Sequence, residues 1–276
     1  MTLDLHKKFY AELVTAKGGV RNEVITAAFA ATDRAKFVGS GPWKVFTAAG
    51  YIETPGDDPA FLYQDIPVAL CARRTINNGE PSLHTRCIGA LKPLTGENVL
   101  HVGAGTGYYT AILANLVGPT GSVVAFEIEA DLAARAAANL ADLPQVEVCG
   151  RSAMETKLPA SDVIYVNAGA TYPPAEWLDA LKPGGRLLFP LTANHGAGLM
   201  LMITRSPEER YAVNIVSGAA FIPCIGARDE QGSTALMTAL AKGGHASVRS
   251  LVRSNQPDET AWLSGNAWWF STRGVT

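Results

Sequence analysis

The chain has 276 residues, of which 23 are basic and 25 acidic, for a formal net charge of −2, and 47% are hydrophobic. Near-neutrality leaves no basic patch of the kind nucleic acid or anionic membranes select, so neither is expected as a partner. Met1 to Lys8 holds acid and base with no apolar stretch behind it, and no run approaches bilayer length, which predicts a cytoplasmic protein. Cys71, Cys87, Cys149 and Cys224 are too scattered for a zinc site or a disulfide framework, so no metal is expected.

Leu5, Phe9 and Leu13, with Tyr10 and Val14, predict an amphipathic helix that Gly18 and Gly19 stop. Asn22 is a predicted N-cap for EVITAAFAA, and Asp33 to Gly39 closes this helical pair. From Ser40 to Pro67 turn formers alternate with Trp43, Phe46, Tyr51, Phe61 and Tyr63, which reads as a long ordered loop anchored by aromatic rings. Asn77, Asn78 and Gly79 signal a turn, and Pro81 suits the first turn of a helix over Ser82 to Leu91.

Val99 to Tyr109, VLHVGAGTGYY, reads as a buried strand that breaks into a glycine turn and opens a helix. Glycines there accept positive φ, and the N–H groups of a new helix favour an anionic group. The dinucleotide fingerprint GxGxxG fails because Tyr108 stands where its third glycine belongs, whereas GxGxG is the usual form in S-adenosylmethionine enzymes. Ser122 to Ile128 is a second strand ending in Glu127, an acid placed to accept hydrogen bonds from both ribose hydroxyls of an adenosine ligand.

A helix over Ala130 to Leu140, a strand over Gln145 to Gly150 and a strand run Ser161 to Gly169, with Asn167 near its end, follow. Trp177, Leu178 and Leu181 mark a short helix, Lys182 to Arg186 a turn, and RLLFPL a fifth strand, with His195 exposed after it. This alternation predicts a doubly wound α/β sheet with ligands at the strand carboxyl ends. Leu199 to Arg205 and Tyr211 to Ser217 predict an antiparallel edge hairpin. Ser233 to Ala241 reads as a helix, and Trp262, Trp268, Trp269 and Phe270 are expected to be ordered, with the Trp268 and Trp269 pair buried against the domain or in a homodimer face.

Several motifs in order resemble the protein-L-isoaspartate O-methyltransferase family of class I S-adenosylmethionine-dependent methyltransferases: Tyr63 to Leu70 (YQDIPVAL), Thr75-Ile76-Asn77 through Pro81, Gly103 to Tyr108, Asp162 to Pro173, and Leu181 to Pro190. The resemblance implies a Rossmann-like fold, with a mostly parallel seven-stranded sheet, N-terminal helices and a C-terminal extension. It divides the chain into an N-terminal helical and acceptor-turn region (1–92), a cofactor-binding core (93–226) and an aromatic-rich extension (227–276). It implies S-adenosyl-L-methionine as cofactor, held by Thr75, Ile76, His101, Gly103, Ala104, Gly105, Thr106, Gly107, Tyr108, Glu127, Ile128, Arg151, Ser152 and Asn167. Asn77, Asn78 and His84 are the expected catalytic residues.

Asn77 stands where the family has serine, and Asn78, Gly79 and Glu80 lengthen the turn before Pro81. These departures predict a reshaped acceptor pocket between Thr75 to His84 and Asn167 to Tyr172, and weak turnover of simple isoaspartyl peptides. The expected reaction is methylation of a carboxylate on a peptide or related acceptor, which is ionised at neutral pH and needs no general base. A small-molecule or modified-peptide O-methyltransferase, and a non-catalytic cofactor-binding protein, remain as alternatives.

Overall fold

Capping and packing set the first helices. The computed structural model describes residues 2–194 and 198–275, so the exposure expected of His195 lies outside the described residues. It begins with α1 (Leu3–Lys17) and α2 (Glu23–Ala31), the latter opened by Asn22, whose side chain accepts from the Val24 and Ile25 amides at 2.9 and 3.2 Å. The face that α1 buries is Tyr10, Ala11 and Val14, while Leu5 and Phe9 are 51% and 63% exposed. Leu5 and Phe9 therefore belong to a second apolar stripe, and periodicity alone did not say which stripe meets the core.

After α3 (Ala35–Val38), the stretch read as a loop contains a hairpin, β1 (Lys44–Thr47) paired antiparallel with β2 (Gly50–Glu53). Four-residue strands flanked by glycine and proline carry too little alternation to announce themselves. Trp43, Val45, Leu62 and Val68 form a small core with Val38 beneath it. The short strands β3 (Ala69–Cys71) and β4 (Ile76–Asn77) pair antiparallel, and α4 (Pro81–Leu91) starts on its proline, where a missing N–H costs nothing.

The alternating part follows as β5 (Asn98–Val102), α5 (Tyr108–Val117), β6 (Ser122–Phe126), α6 (Ala130–Asn139), β7 (Val146–Cys149), β8 (Ser161–Val166), α7 (Ala175–Ala180) and β9 (Leu181–Thr192). The edge is β10 (Gly198–Arg205) and β11 (Tyr211–Ala219), and the chain ends in α8 (Glu230–Lys242), β12 (Ser250–Val252), β13 (Ala261–Gly265) and β14 (Trp268–Ser271). Lys182 to Arg186, predicted as a turn, is a bulge inside β9: Ser161 and Val163 of β8 face Leu181 and Arg186, and Gly184 takes up the excess at φ +80°.

Two compact units result, the first comprising residues up to Glu97 with Ala104–Arg151, the second Asn98–Gly103 with the residues from Ser152 onward. In the first, β6 and β7 pair in parallel from Val123 with Val146 to Phe126 with Cys149. In the second, the strand order is β13-β14-β12-β11-β10-β9-β8-β5, parallel from β5 through β9 and antiparallel beyond. The sheet expected to have seven strands has ten, with β12, β14 and β13 lying outside β11. Trp269 and Phe270 are buried, but Trp268 is only half-buried, because it lies over Gly265 at the hairpin turn. Among the described residues no helix is long and apolar enough to cross a membrane.

Ala267, in the β13–β14 turn, sits at φ +61°, where an L-residue is disfavoured by roughly 1–2 kcal/mol. Ala267→Gly is expected to raise stability by about 0.5–1 kcal/mol in urea unfolding, after the added freedom of the unfolded chain is subtracted. An unchanged or lower midpoint would contradict this.

Candidate functional site

In the first unit, β6 delivers Glu127 to a position only 7% exposed. Its Oε2 accepts from the Gly105 amide at 2.7 Å and its Oε1 from the Glu129 amide at 2.9 Å. The Gly105 amide of the glycine turn is thus engaged by the chain's own carboxylate. Burial raises the Glu127 pKa, while the amide hydrogen bonds from Glu129 and Gly105 lower it. A carboxylate has about four lone-pair sites, so about two stay available for outside donors such as the hydroxyls of a vicinal diol. Ile128 beside it is 42% exposed, an apolar surface for a flat ring.

The glycine loop is shaped from below. Gly105 (φ +57°) leaves a Cβ position 3.0 Å from Leu70 Cδ1, and Gly107 (φ +95°) one 2.7 Å from Leu140 Cδ1, so a side chain at either would displace its neighbour. Ala104 donates its amide to the Phe126 carbonyl at 3.1 Å, Thr106 Oγ1 donates to the Phe37 carbonyl at 2.6 Å, and the Tyr108 and Tyr10 hydroxyls meet at 3.2 Å. Thr106 and Tyr108 are almost fully buried and hold the loop in place. The Arg151 guanidinium lies 6.0 Å from the Phe126 ring centroid, near the end of β6.

Arg74 ties the turn after β3 to this region. Its guanidinium pairs with Glu129 and, at 2.6 Å, with Asp131, and Arg135 donates to the Leu70 carbonyl at 3.3 Å. Thr75, at φ +54°, and Ile76 follow Arg74 directly in the chain. Asn77 spends its side chain within the fold: Oδ1 accepts from Gly79 N–H at 2.8 Å and Nδ2 donates to the Tyr51 hydroxyl at 3.2 Å. Asn78 Oδ1 accepts from Val68 N–H at 2.8 Å, and its buried Nδ2 has no hydrogen-bond partner. His84 is 2% exposed, stacked on Tyr109 at 3.7 Å and 10°, and a Cβ on Gly79 would stand 2.1 Å from its Nε2. It fills the space under the turn.

Sequence reasoning missed Arg34. This fully buried guanidinium donates to the carbonyls of Leu62, Gln64 and Ile66 at 2.5, 2.7 and 2.6 Å, and lies against the rings of Tyr10 and Tyr108. In DRAKFVG it looks like any surface charge; no local signal separates it.

In the second unit, His101 is fully buried on β5, stacked on Tyr165 at 5.5 Å, and burial lowers its pKa to about 3. The neutral ring accepts at Nε2 from Asn167 Nδ2, 2.7 Å away, a polarity that follows from the assigned amide orientation. That leaves Asn167 Oδ1 buried without a hydrogen-bond partner. A Cβ on Gly103 (φ +77°) would stand 3.3 Å from the Asn167 carbonyl, and Ser152 Oγ accepts from Met154 N–H at 3.1 Å.

Residues 6–229 match the model of the protein-L-isoaspartate(D-aspartate) O-methyltransferase (PCMT) family. A protein-L-isoaspartate O-methyltransferase of Rhodopseudomonas palustris is 34% identical over 186 residues, covering 66% of this chain and 83% of the relative. One of Methanothermobacter thermautotrophicus is 26% identical over 81% of this chain and 96% of its own. Among solved structures, a protein-L-isoaspartate O-methyltransferase superimposes with a TM-score of 0.66 at 21% identity, covering 85% of this chain and 69% of that one. A Plasmodium falciparum structure assigned the same activity, in complex with S-adenosyl-L-homocysteine, gives 0.65 at 18% identity, covering 80% and 98%. At these identities the structural likeness shows the fold.

His101 makes stability depend on pH. Its folded pKa of about 3 lies below the ordinary value of 6.5, so the unfolded chain binds more protons between the two and stability falls as pH drops through that window. The full loss is roughly 5 kcal/mol. Wild type is expected to lose several kcal/mol more than His101→Gln between about pH 7 and pH 3, read by denaturant unfolding at each pH; parallel curves would contradict it.

Proposed function

Because the chain belongs to the protein-L-isoaspartate(D-aspartate) O-methyltransferase family, we propose that it transfers the methyl group of S-adenosyl-L-methionine to the free carboxylate of isoaspartyl residues in proteins. The observation that carries this reading is Glu127, buried at the end of β6 and bonded to the glycine-loop amide, with acceptor capacity to spare. When bound, the cofactor supplies an electrophilic methyl on a sulfonium.

The residues present fit that group. Glu127 would accept the ribose hydroxyls, and exposed Ile128 would lie along the adenine. In the second unit, taken by itself, the unpartnered Asn167 Oδ1 is an acceptor suited to an ammonium such as that of the cofactor's amino-acid end. In the acceptor turn, the unpartnered Asn78 Nδ2 is a donor suited to a carbonyl or carboxylate oxygen.

The chain's task is positioning. A carboxylate of pKa about 4 is already ionised, and correct alignment is worth an effective molarity on the order of 10⁵–10⁸ M. No base is needed, which agrees with a His84 committed to packing against Tyr109 and Gly79. Asn77 likewise supports the turn through Gly79 and Tyr51, so replacing the family's serine does not set a repelling charge before a carboxylate.

Labelled S-adenosylmethionine with an isoaspartyl peptide, and with the matching aspartyl peptide as control, tests the reaction. Turnover of the isoaspartyl peptide at about 1 s⁻¹ or faster is expected, and none above the aspartyl control would refute the reading. Glu127→Gln is expected to weaken cofactor binding about tenfold or more in calorimetry, since hydrogen bonds to a charged group contribute roughly 1.5–3 kcal/mol each. Unchanged affinity would remove Glu127 from the site.

A further inference from the structure

Within the second unit lies a cleft of about 990 Å³. One wall is the segment Thr171–Leu178, inside the residues the family model matches; the other is α8 with the β13–β14 hairpin, beyond them. The extension therefore does more than lengthen a sheet: it walls a cavity. The volume sits at the upper end of small-ligand pockets, roughly 300–1,000 Å³, and is large for one side chain.

The lining has a sign. Glu176 and Asp229 are exposed in the cleft, and among the described residues neither has an ion-pair partner. Arg253, the cation of the lining, is committed to Asp179 at 2.6 Å. The fields of Asp229 and Glu176 both reach the Tyr172 hydroxyl, adding to the rise that burial gives its pKa. Trp268 and Tyr172 add aromatic rings to the lining, and such rings attract a lysine or arginine side chain. A cation is what this surface complements.

Its place in the chain says which cation. Tyr172 follows Asn167 by five residues, so the cleft wall begins at most about 17 Å from Asn167, the reach of an extended segment of that length. A peptide whose acceptor carboxylate meets the methyl of a cofactor held through Asn167 spans a comparable distance with its neighbours. We propose that the cleft holds the polypeptide flanking the methylated residue and selects substrates with a lysine or arginine two to five positions from the isoaspartate. This rests on the methyl-transfer reading above.

The test compares isoaspartyl peptides that differ only in lysine or glutamate at about three residues from the acceptor, in wild type and in the Glu176→Gln, Asp229→Asn double variant. Asparagine keeps the N-cap of α8 that Asp229 provides to Gly232 N–H. At low salt KM is expected to be about five- to tenfold lower for the lysine peptide at equal kcat, and the ratio to approach one in the double variant and in about 0.5 M salt. Equal KM values in wild type, or a preference that survives in the double variant, overturn the proposal. Anisotropy of labelled, non-isomerised peptides tells the two readings apart if no peptide is methylated. Lysine-selective binding lost in the double variant then supports the cleft while the reaction fails; binding without selectivity overturns the cleft.

Discussion

The contact between Glu127 and the Gly105 amide is the constraint on which the rest of the site depends. A carboxylate 7% exposed must be compensated or it takes up a proton, and here two backbone amides compensate it in part. Burial nonetheless leaves its pKa above the ordinary value. The free protein thus holds a charge that is under-solvated, and hydroxyl donors from a ligand relieve that condition. On the proposed reading, binding of a diol and ionisation of Glu127 would favour each other, while the bond to Gly105 helps give the glycine loop its shape.

A second buried charge sets the acceptor side. Arg34 binds three alternate carbonyls, those of Leu62, Gln64 and Ile66, and thereby fixes the approach to Val68, which clamps Asn78 by exchanging two hydrogen bonds with it, at 3.0 and 2.8 Å. The turn that carries Asn77 and Asn78 is positioned from beneath by this cation and from its other side by Arg74 on Glu129 and Asp131. One arginine is fully buried and ring-packed, the other partly exposed and screened, so the first governs stability and the second is the looser tie.

How much of this was legible depended on range. Asn22, Pro81 and the strand–glycine–helix unit at Val102 to Tyr108 act through neighbours a few residues away, so caps, turns and parallel strands could be read directly. The buried stripe of α1 could not, because Leu5 and Tyr10 both carry large apolar side-chain surface and only the packing partner decides between them. Nor could Arg34, whose partners lie about thirty residues away. His84 shows the same limit from the other side: nothing among its neighbours in sequence announces its stack on Tyr109, twenty-five positions on. The β13–β14 strands were hidden by their brevity, although the density of rings did announce that the tail is ordered.

The departures in the acceptor turn make physical sense once the nucleophile is a carboxylate. A hydroxyl or amine acceptor would require a base at a fixed distance, and a turn lengthened by Asn78, Gly79 and Glu80 would disturb it. An ionised acceptor asks only for alignment and for the absence of a nearby negative charge. The turn meets the first demand by internal bonding, since the Asn77 carboxamide closes onto Gly79 and reaches Tyr51, and by the tight seat of Gly79 against His84. Asparagine adds no charge of its own, and Glu80, the acid of this turn, is exposed to solvent, which screens its field. The scaffold can therefore rebuild this turn without rebuilding the chemistry.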